Sequence, residues 1–476
     1  MSNDNIDTNN QSIEPTQPTE KSQIKKKTPG VIVVADLGGS QTKVIFHDYP
    51  SSEPQAFCMG SEIANANIDT LRGKVFSVGD RPEDNCWVGL PSDGGYALGH
   101  LAANDFRGIP MLRALKFDLA VPKIAGILWV VSQKLKKKKT SPLQVSLFVL
   151  LPPSEGRKGE DLKKKLELEL VDFDTPTGKL TVELLKFQVV REGYGVGLYH
   201  GDKLGEEFAK SNISVVMGGY RNLSVLSYTR GKVQDGASCE LGMHWLINEF
   251  VKESSAGFDA DNFNIVEILT FAGDDCDATI LSKLSRKQKV EERKVDGDNF
   301  AITMRKSRES YVNAVTRWLS EKIPDGIDEV ILCGGTAKYI KEELTEYFED
   351  KEIAITWDGG IVIPSVLDKC GMGERLADAY GLYYSYIQTL SKKKKGEKSW
   401  SNWLDQMVAT GEKEAEEKAR RSTIIDKIKS LVDDGKICFS VSTEYEVKRI
   451  VVENPWLLDE IPLIKRKFPN IVKELN

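Results

Sequence analysis

The stretch VVADLGGSQTKVIFHD, Val33 to Asp48, decides the fold. An apolar run ends in Asp36, two glycines follow, then Ser40, Thr42 and Lys43, then a second apolar run. The hydrophobic pattern dictates two strands joined by a tight bend, because glycine supplies the backbone freedom that short turns need. The polar residues in the bend admit two explanations. They belong to an ordinary hairpin, or they form a phosphate cradle. In a cradle, Gly38 and Gly39 let backbone N–H groups approach an anion while Lys43 adds charge. The stretch alone leaves both open.

Composition narrows the field. The chain has 476 residues, 40% hydrophobic and 29% charged, which suits a soluble globular protein of two large lobes or about three domains. Lysine and arginine number 65 against 71 acids, and a net charge of −6 argues against nonspecific nucleic-acid binding by the whole molecule. Cys58, Cys86, Cys239, Cys276, Cys333, Cys370 and Cys438 are scattered without a CxxC pair, so neither a disulfide framework nor a zinc site is indicated. Residues 1–30 are polar and carry no aromatic side chain, the composition of a disordered tail, and no signal-like apolar segment follows. The longest apolar runs, such as IAGILWVV from Ile124, fall short of the ~18 residues of a membrane span. A cytoplasmic protein is expected.

Beyond the first hairpin, Cys86 to Leu101 reads as short strands and turns, and Ile109 to Lys139 as one long helix closing on lysines that suit its dipole. PLQVSLFVLLP is a buried strand, and KLTVELLKFQVV alternates as a strand with one exposed face. Asn212 to Val233, NISVVMGGYRNLSVLSYTRGKV, repeats the strand–Gly-Gly–strand pattern. A helical section is expected from Gly236 to about Ile323, followed by strand, Gly-Gly and helix in DEVILCGGTAKYIKEEL, Asp328 to Leu344. Two α/β lobes that each open with a glycine hairpin would aim both turns at one ligand. The third element would add a helix N-terminus to the same cleft.

This ordered set resembles the bacterial actin-like ATPases, in particular the plasmid-segregation actins of the ParM/StbA type. DLGGSQTK (Asp36 to Lys43) is similar to the first phosphate loop, VLLPPSEG (Val149 to Gly156) to the connecting segment, and VVREGYG (Val189 to Gly195) to the segment before the lobe crossover. VILCGGTAKYI (Val330 to Ile340) resembles the adenosine motif, GERLADAYGLYYSYI (Gly373 to Ile387) the returning helix, and YALGHLA (Tyr96 to Ala102) favours the segregation actins. The resemblance spans about Val31 to Leu390. It implies an actin-like two-lobed α/β fold, ribonuclease-H-like and duplicated around a nucleotide cleft. Lobe I would cover 31–211, completed by 365–390, and lobe II 212–364, with a charged C-terminal extension at 391–476.

The resemblance also implies roles. ATP (or GTP) would bind through Gly38, Gly39, Ser40 and Lys43 of the first loop and Gly218, Gly219, Arg221 and Asn222 of the second. Gly334, Gly335 and Thr336 would serve the third element, and Lys338 either reaches the nucleotide or faces solvent. Asp36 would hold Mg²⁺ through water, since that ion keeps much of its hydration shell. Glu155 would orient the attacking water.

One departure stands out. The second loop usually runs Asp-x-Gly-x-x-Thr-x-Asp, and here Met217 and Ser224 replace the acids while Asn222 replaces threonine. Slow ATP hydrolysis is therefore expected. The first expectation for function is a nucleotide-dependent filament that segregates plasmid DNA or positions other cargo through an adaptor protein, without direct sequence-specific nucleic-acid binding. A nucleotide-binding scaffold with little hydrolysis and a small-molecule kinase of the same fold are the alternatives. The region after Leu390 reads as a basic hinge, a charged helix from Ser401 to Lys429 and a final part of mixed strand and helix character. It is either a partner-docking module or an extension packed back on the core.

Overall fold

The computed structural model describes residues 30–77, 79–110, 115–137, 141–260, 262–393, 400–432 and 441–468. The expected N-terminal tail up to residue 29 and most of the basic hinge, 394–399, lie outside the described residues.

Strand β1 (Val31–Leu37) is buried throughout, as a strand covered on both faces must be. It pairs antiparallel with β2 (Gln41–Asp48), which sets Asp36 opposite Lys43, and β3 (Gln55–Gly60) extends the antiparallel edge. A side sheet of β4 (Ile63–Ala66), β5 (Trp87–Leu90) and β6 (Gly94–Leu98) carries helices α1 (Ile68–Arg72) and α2 (Gly99–Asp105). Helix α3 (Ala120–Lys134) then leads to β7 (Leu143–Leu151), parallel to β1, and α4 (Gly159–Glu169) leads to β8 (Val182–Arg191), parallel to β7.

After α5 (Tyr194–Leu204) the plan repeats. Strands β9 (Asn212–Gly218) and β10 (Leu223–Thr229) form an antiparallel hairpin, and β11 (Lys232–Val233) and β12 (Ala237–Cys239) pair with β10. Four helices follow: α6 (Met243–Ser254), α7 (Phe263–Ala272), α8 (Ala278–Leu281) and the long α9 (Val290–Lys322). Strand β13 (Glu329–Cys333) joins β9 in parallel; α10 (Gly335–Tyr339) and α11 (Lys341–Glu349) lead to β14 (Ala354–Trp357), parallel to β13. An antiparallel hairpin followed by two parallel strands, built twice, is the expected duplicated α/β architecture of the actin-like class.

The strand period of two divides the side chains among three cores. Val33 and Leu147 face outward from the first sheet onto Ile127 of α3 and Leu166 of α4. Val216 and Val330 face outward from the second sheet, toward Ile247, Tyr311 and Leu344. The alternate positions, Ile32, Val34, Val215 and Ile331, face inward and share one core with Val196 and Tyr199 of α5 and with Tyr380 and Tyr383 of α12 (Ala377–Lys393). These two helices therefore lie between the sheets. At their closest point they meet backbone to backbone: a Cβ on Gly195 would sit 2.0 Å from the Asp378 carbonyl oxygen, and one on Gly381 would sit 2.3 Å from that of Gly195. The Asp378 carboxylate accepts hydrogen bonds from the N–H groups of Gly193 and Gly195, both 2.8 Å, and Val196, 3.2 Å, satisfying the otherwise open start of α5.

Two sequence expectations need correction. The helix expected from Ile109 begins only at Ala120, because Pro122 lacks an N–H and is tolerated only in a first turn. The expected helical section opens instead with a strand, β12, pairing Ala237 to Val225. In the last part, the described residues are helical: α13 (Trp400–Leu431) runs against α12, and α14 (Val441–Glu453) and two short helices close on Ile428, Val447, Leu457 and Ile464, while the strand-like stretch expected at 435–440 lies outside the described residues. No helix among the described residues is long and apolar enough to cross a membrane.

Candidate functional site

The three Gly-Gly turns converge. In the first, a Cβ on Gly38 would meet the Gln41 carbonyl oxygen at 2.3 Å, so the bend requires glycine there. Lys43 Nζ lies 2.5 Å from Asp36 Oδ2 and donates to the Arg375 carbonyl at 3.1 Å, while Arg375 Nη2 donates to Ser40 Oγ at 3.2 Å. The second turn is closed by Gly219 N–H donating to the Asn222 carbonyl at 2.8 Å. It packs backbone to backbone on the third: a Cβ on Gly218 would lie 2.5 Å from Ala337 N, and one on Gly334 would lie 2.4 Å from the Gly218 carbonyl oxygen. Thr336 Oγ1 ties the two by donating to the Gly219 carbonyl at 2.8 Å.

Between the turns lies a cleft of about 660 Å³. Asp36, Gly38, Gly39, Ser40, Lys43, Gly218, Gly219, Arg221, Asn222, Gly334, Gly335, Thr336 and Lys338 all line it, as does Met217. Residues from positions 36 to 338 are thus brought to one wall. Lys338 is held by Glu374 at 2.7 Å and stands 3.9 Å from Asp358, whose carboxyl burial pushes up to about 6.

Glu155 is the exception, for it does not line the cleft. It is buried, accepts the Phe117 N–H at 2.9 Å and stands 3.9 Å from Arg221 Nη1. Burial raises its carboxyl above the ordinary range, against the pull of these partners. Asp36, Glu62, Glu267 and Glu374 line the cleft, and so does Glu192, just after β8, which Ser224 Oγ contacts at 3.4 Å and the Lys116 ammonium also engages. Lys116 and Arg375 are functional candidates that motif reading left out, Glu192 is the glutamate of the VVREGYG segment to which no site role was given, and Val266, Thr270 and Phe271 of α7 with Tyr339 of α10 add a further wall. Phe271 is 74% exposed on an otherwise apolar helix, a feature that only the folded chain displays.

The expected magnesium site can be tested against these groups. Asp36 already faces Lys43 on one carboxylate oxygen and Lys116, at 3.4 Å, on the other. The buried Lys123 amine stands in the field of the same acid, and its ammonium form is disfavoured by burial and by Lys116, lowering it to about 7. Among the described residues no group of three or more His, Cys, Asp or Glu is placed to hold an ion. The residues around Asp36 do not fit a water-bound Mg²⁺.

No family model matches the chain, and no curated protein matches it in sequence. Solved structures similar to it include the apo ParM protein of pSK41, 14% identical over 77% of this chain and 99% of that one, with a TM-score of 0.47. A 15-stranded ParM filament from Clostridium botulinum is 14% identical over 75% and 99%, TM-score 0.49. ParM from Bacillus thuringiensis with ATP is 12% identical over 76% and 100%, TM-score 0.46.

Proposed function

We propose that the chain is an actin-like, nucleotide-binding protein that assembles into filaments and segregates plasmid DNA, or positions other cargo, through an adaptor in the cytoplasm. The observation that carries this reading is the convergence of three Gly-Gly turns, from two copies of one folding plan, on a single cleft. Backbone N–H groups of the turns and the Ser40 hydroxyl suit the phosphates of ATP or GTP, and Phe271 and Tyr339 offer the base an aromatic wall.

Turnover is slow in this reading. Met217 lines the cleft where the resemblance calls for an acid, and a thioether is a weak acceptor for a nucleophilic water. Glu155 is tied to a backbone N–H behind the wall, and Glu192 is already engaged by Lys116 and Ser224. These engagements also favour the related reading of a scaffold that binds nucleotide with little hydrolysis.

Assembly follows from the motif resemblance and from simple energetics. Head-to-tail contacts do not close and so build open filaments. A micromolar critical concentration needs only about −8 kcal/mol per added subunit, a balance that nucleotide binding between two sheets can tip. Sedimentation and electron microscopy of the purified protein should show polymer with ATP at micromolar concentration and none without it. A strict monomer in ATP at high concentration would refute the assembly.

A further inference from the structure

Lys116 belongs to none of the sequence motifs. It sits in the turn ahead of α3, 7% exposed, and its ammonium bridges Asp36 on β1 and Glu192 after β8. The turn is anchored at the next residue, where the Phe117 N–H donates to Glu155. The second Glu192 oxygen faces Ser224 Oγ at 3.4 Å. The ammonium is therefore a cation clamped between two acids from different strands, with its own supporting contacts.

Both lysines are built alike. Lys43 divides its bonds between Asp36 and the Arg375 carbonyl, as Lys116 divides its own between Asp36 and Glu192. An ammonium has three N–H donors, so each keeps one, and both residues line the cleft. Behind them the Lys123 amine is 2% exposed and has no hydrogen-bond partner. A divalent ion approaching Asp36 would meet two ammonium groups and a third buried amine, and would find both carboxylate oxygens taken.

We infer that Lys116 takes the place of a divalent cation between Asp36 and Glu192, so that the cleft accepts a nucleoside polyphosphate with no metal anchored by the protein. The inference rests on the nucleotide reading above. The remaining donor of each lysine is then given to a phosphate oxygen as a charge-assisted hydrogen bond. Lys116 also keeps the two buried acids apart in charge when the cleft is empty, a service a transient metal cannot give.

The test is calorimetric titration of the full chain with ATP, once in excess Mg²⁺ and once in EDTA. The two dissociation constants should agree within about threefold. A loss of more than about tenfold in EDTA would overturn the inference and leave the nucleotide reading standing, whereas no binding in either buffer would overturn both. A second measurement needs no nucleotide. Lys116→Ala leaves Asp36 and Glu192 without their shared cation, so MnCl₂ should raise the melting temperature of that variant and not of the wild type. An equal response in both proteins would also overturn the inference. If the variant does not fold, the wild-type titrations decide.

Discussion

Replacing His47 by glutamine should remove a defined, pH-dependent part of the stability. His47 is fully buried on β2 with both ring nitrogens engaged. A carbonyl can only accept, so Nε2 carries the proton and donates to Ser52 O at 2.7 Å, while Nδ1 accepts the Tyr383 hydroxyl of α12 at 2.7 Å. Burial lowers the imidazole from its ordinary 6.5 to about 4. The unfolded chain therefore takes up this proton near pH 6.5 and the folded chain only near pH 4. Between those values the folded state binds fewer protons, so stability falls as the pH falls. At about 1.4 kcal/mol per pH unit, the full loss is about 3 kcal/mol below pH 4, of which about 2 kcal/mol is already gone at pH 5. Asp358 and Asp378, which burial raises to about 6 and about 7, act in the opposite direction, because the fold retains protons that the unfolded chain sheds. The wild-type slope is thus a net value, and the variant isolates one contribution. Urea unfolding should find His47→Gln less stable than wild type at pH 7, with the gap about 2 kcal/mol smaller at pH 5. A gap that stays constant would mean the folded imidazole titrates like a solvated one, and would refute the reasoning.

Two further substitutions probe the cleft and the crossing. Met217→Asp restores a carboxylate on the cleft wall at the end of β9 and should raise ATP hydrolysis about tenfold or more without tightening ATP binding, as read by phosphate release; a slower variant would mean the second turn is arranged differently. Gly195→Ala places a methyl 2.0 Å from the Asp378 carbonyl oxygen and should cost more than about 2 kcal/mol in urea unfolding, whereas Gly156→Ala, whose new Cβ would meet only Arg191 Cγ at 3.8 Å, should cost less than about 0.5 kcal/mol.

The hairpins were legible because each sets two glycines between strongly apolar runs, and the duplicated plan followed from their order. Tertiary placement was not legible. The chain offers a glutamate after β7 and another after β8, and only the turn at Pro152, where the Glu155 N–H bonds back to the Pro152 carbonyl at 2.9 Å, decides that Glu155 points under Phe117 while Glu192 reaches the wall. FNIVEILTFA reads as any core helix does, and in the fold Ile265 and Leu269 are buried while Phe271 emerges beside the cleft. Lys116 lies 80 positions from Asp36 and 76 from Glu192, separations at which no spacing rule operates. The late start of the expected 109–139 helix was readable in principle from Pro122.

The crossing of α5 and α12 has a mechanical consequence. Helices that meet through interlocked side chains resist turning, because every knob must leave its hole before the next is found. At Gly195 and Gly381 peptide planes touch, while Tyr199 of α5 packs on Tyr380 and Tyr384 of α12 with ring centroids 6.4 and 5.0 Å apart, so a turn about the glycine contact has those rings to re-seat between the two helices. The three hydrogen bonds from the start of α5 to Asp378 act as the pin, opposing any sliding that would pull the bearing apart. Both helices belong to the core shared by the two sheets, so a rotation at the pin would be carried to the cleft, where the first turn faces the other two.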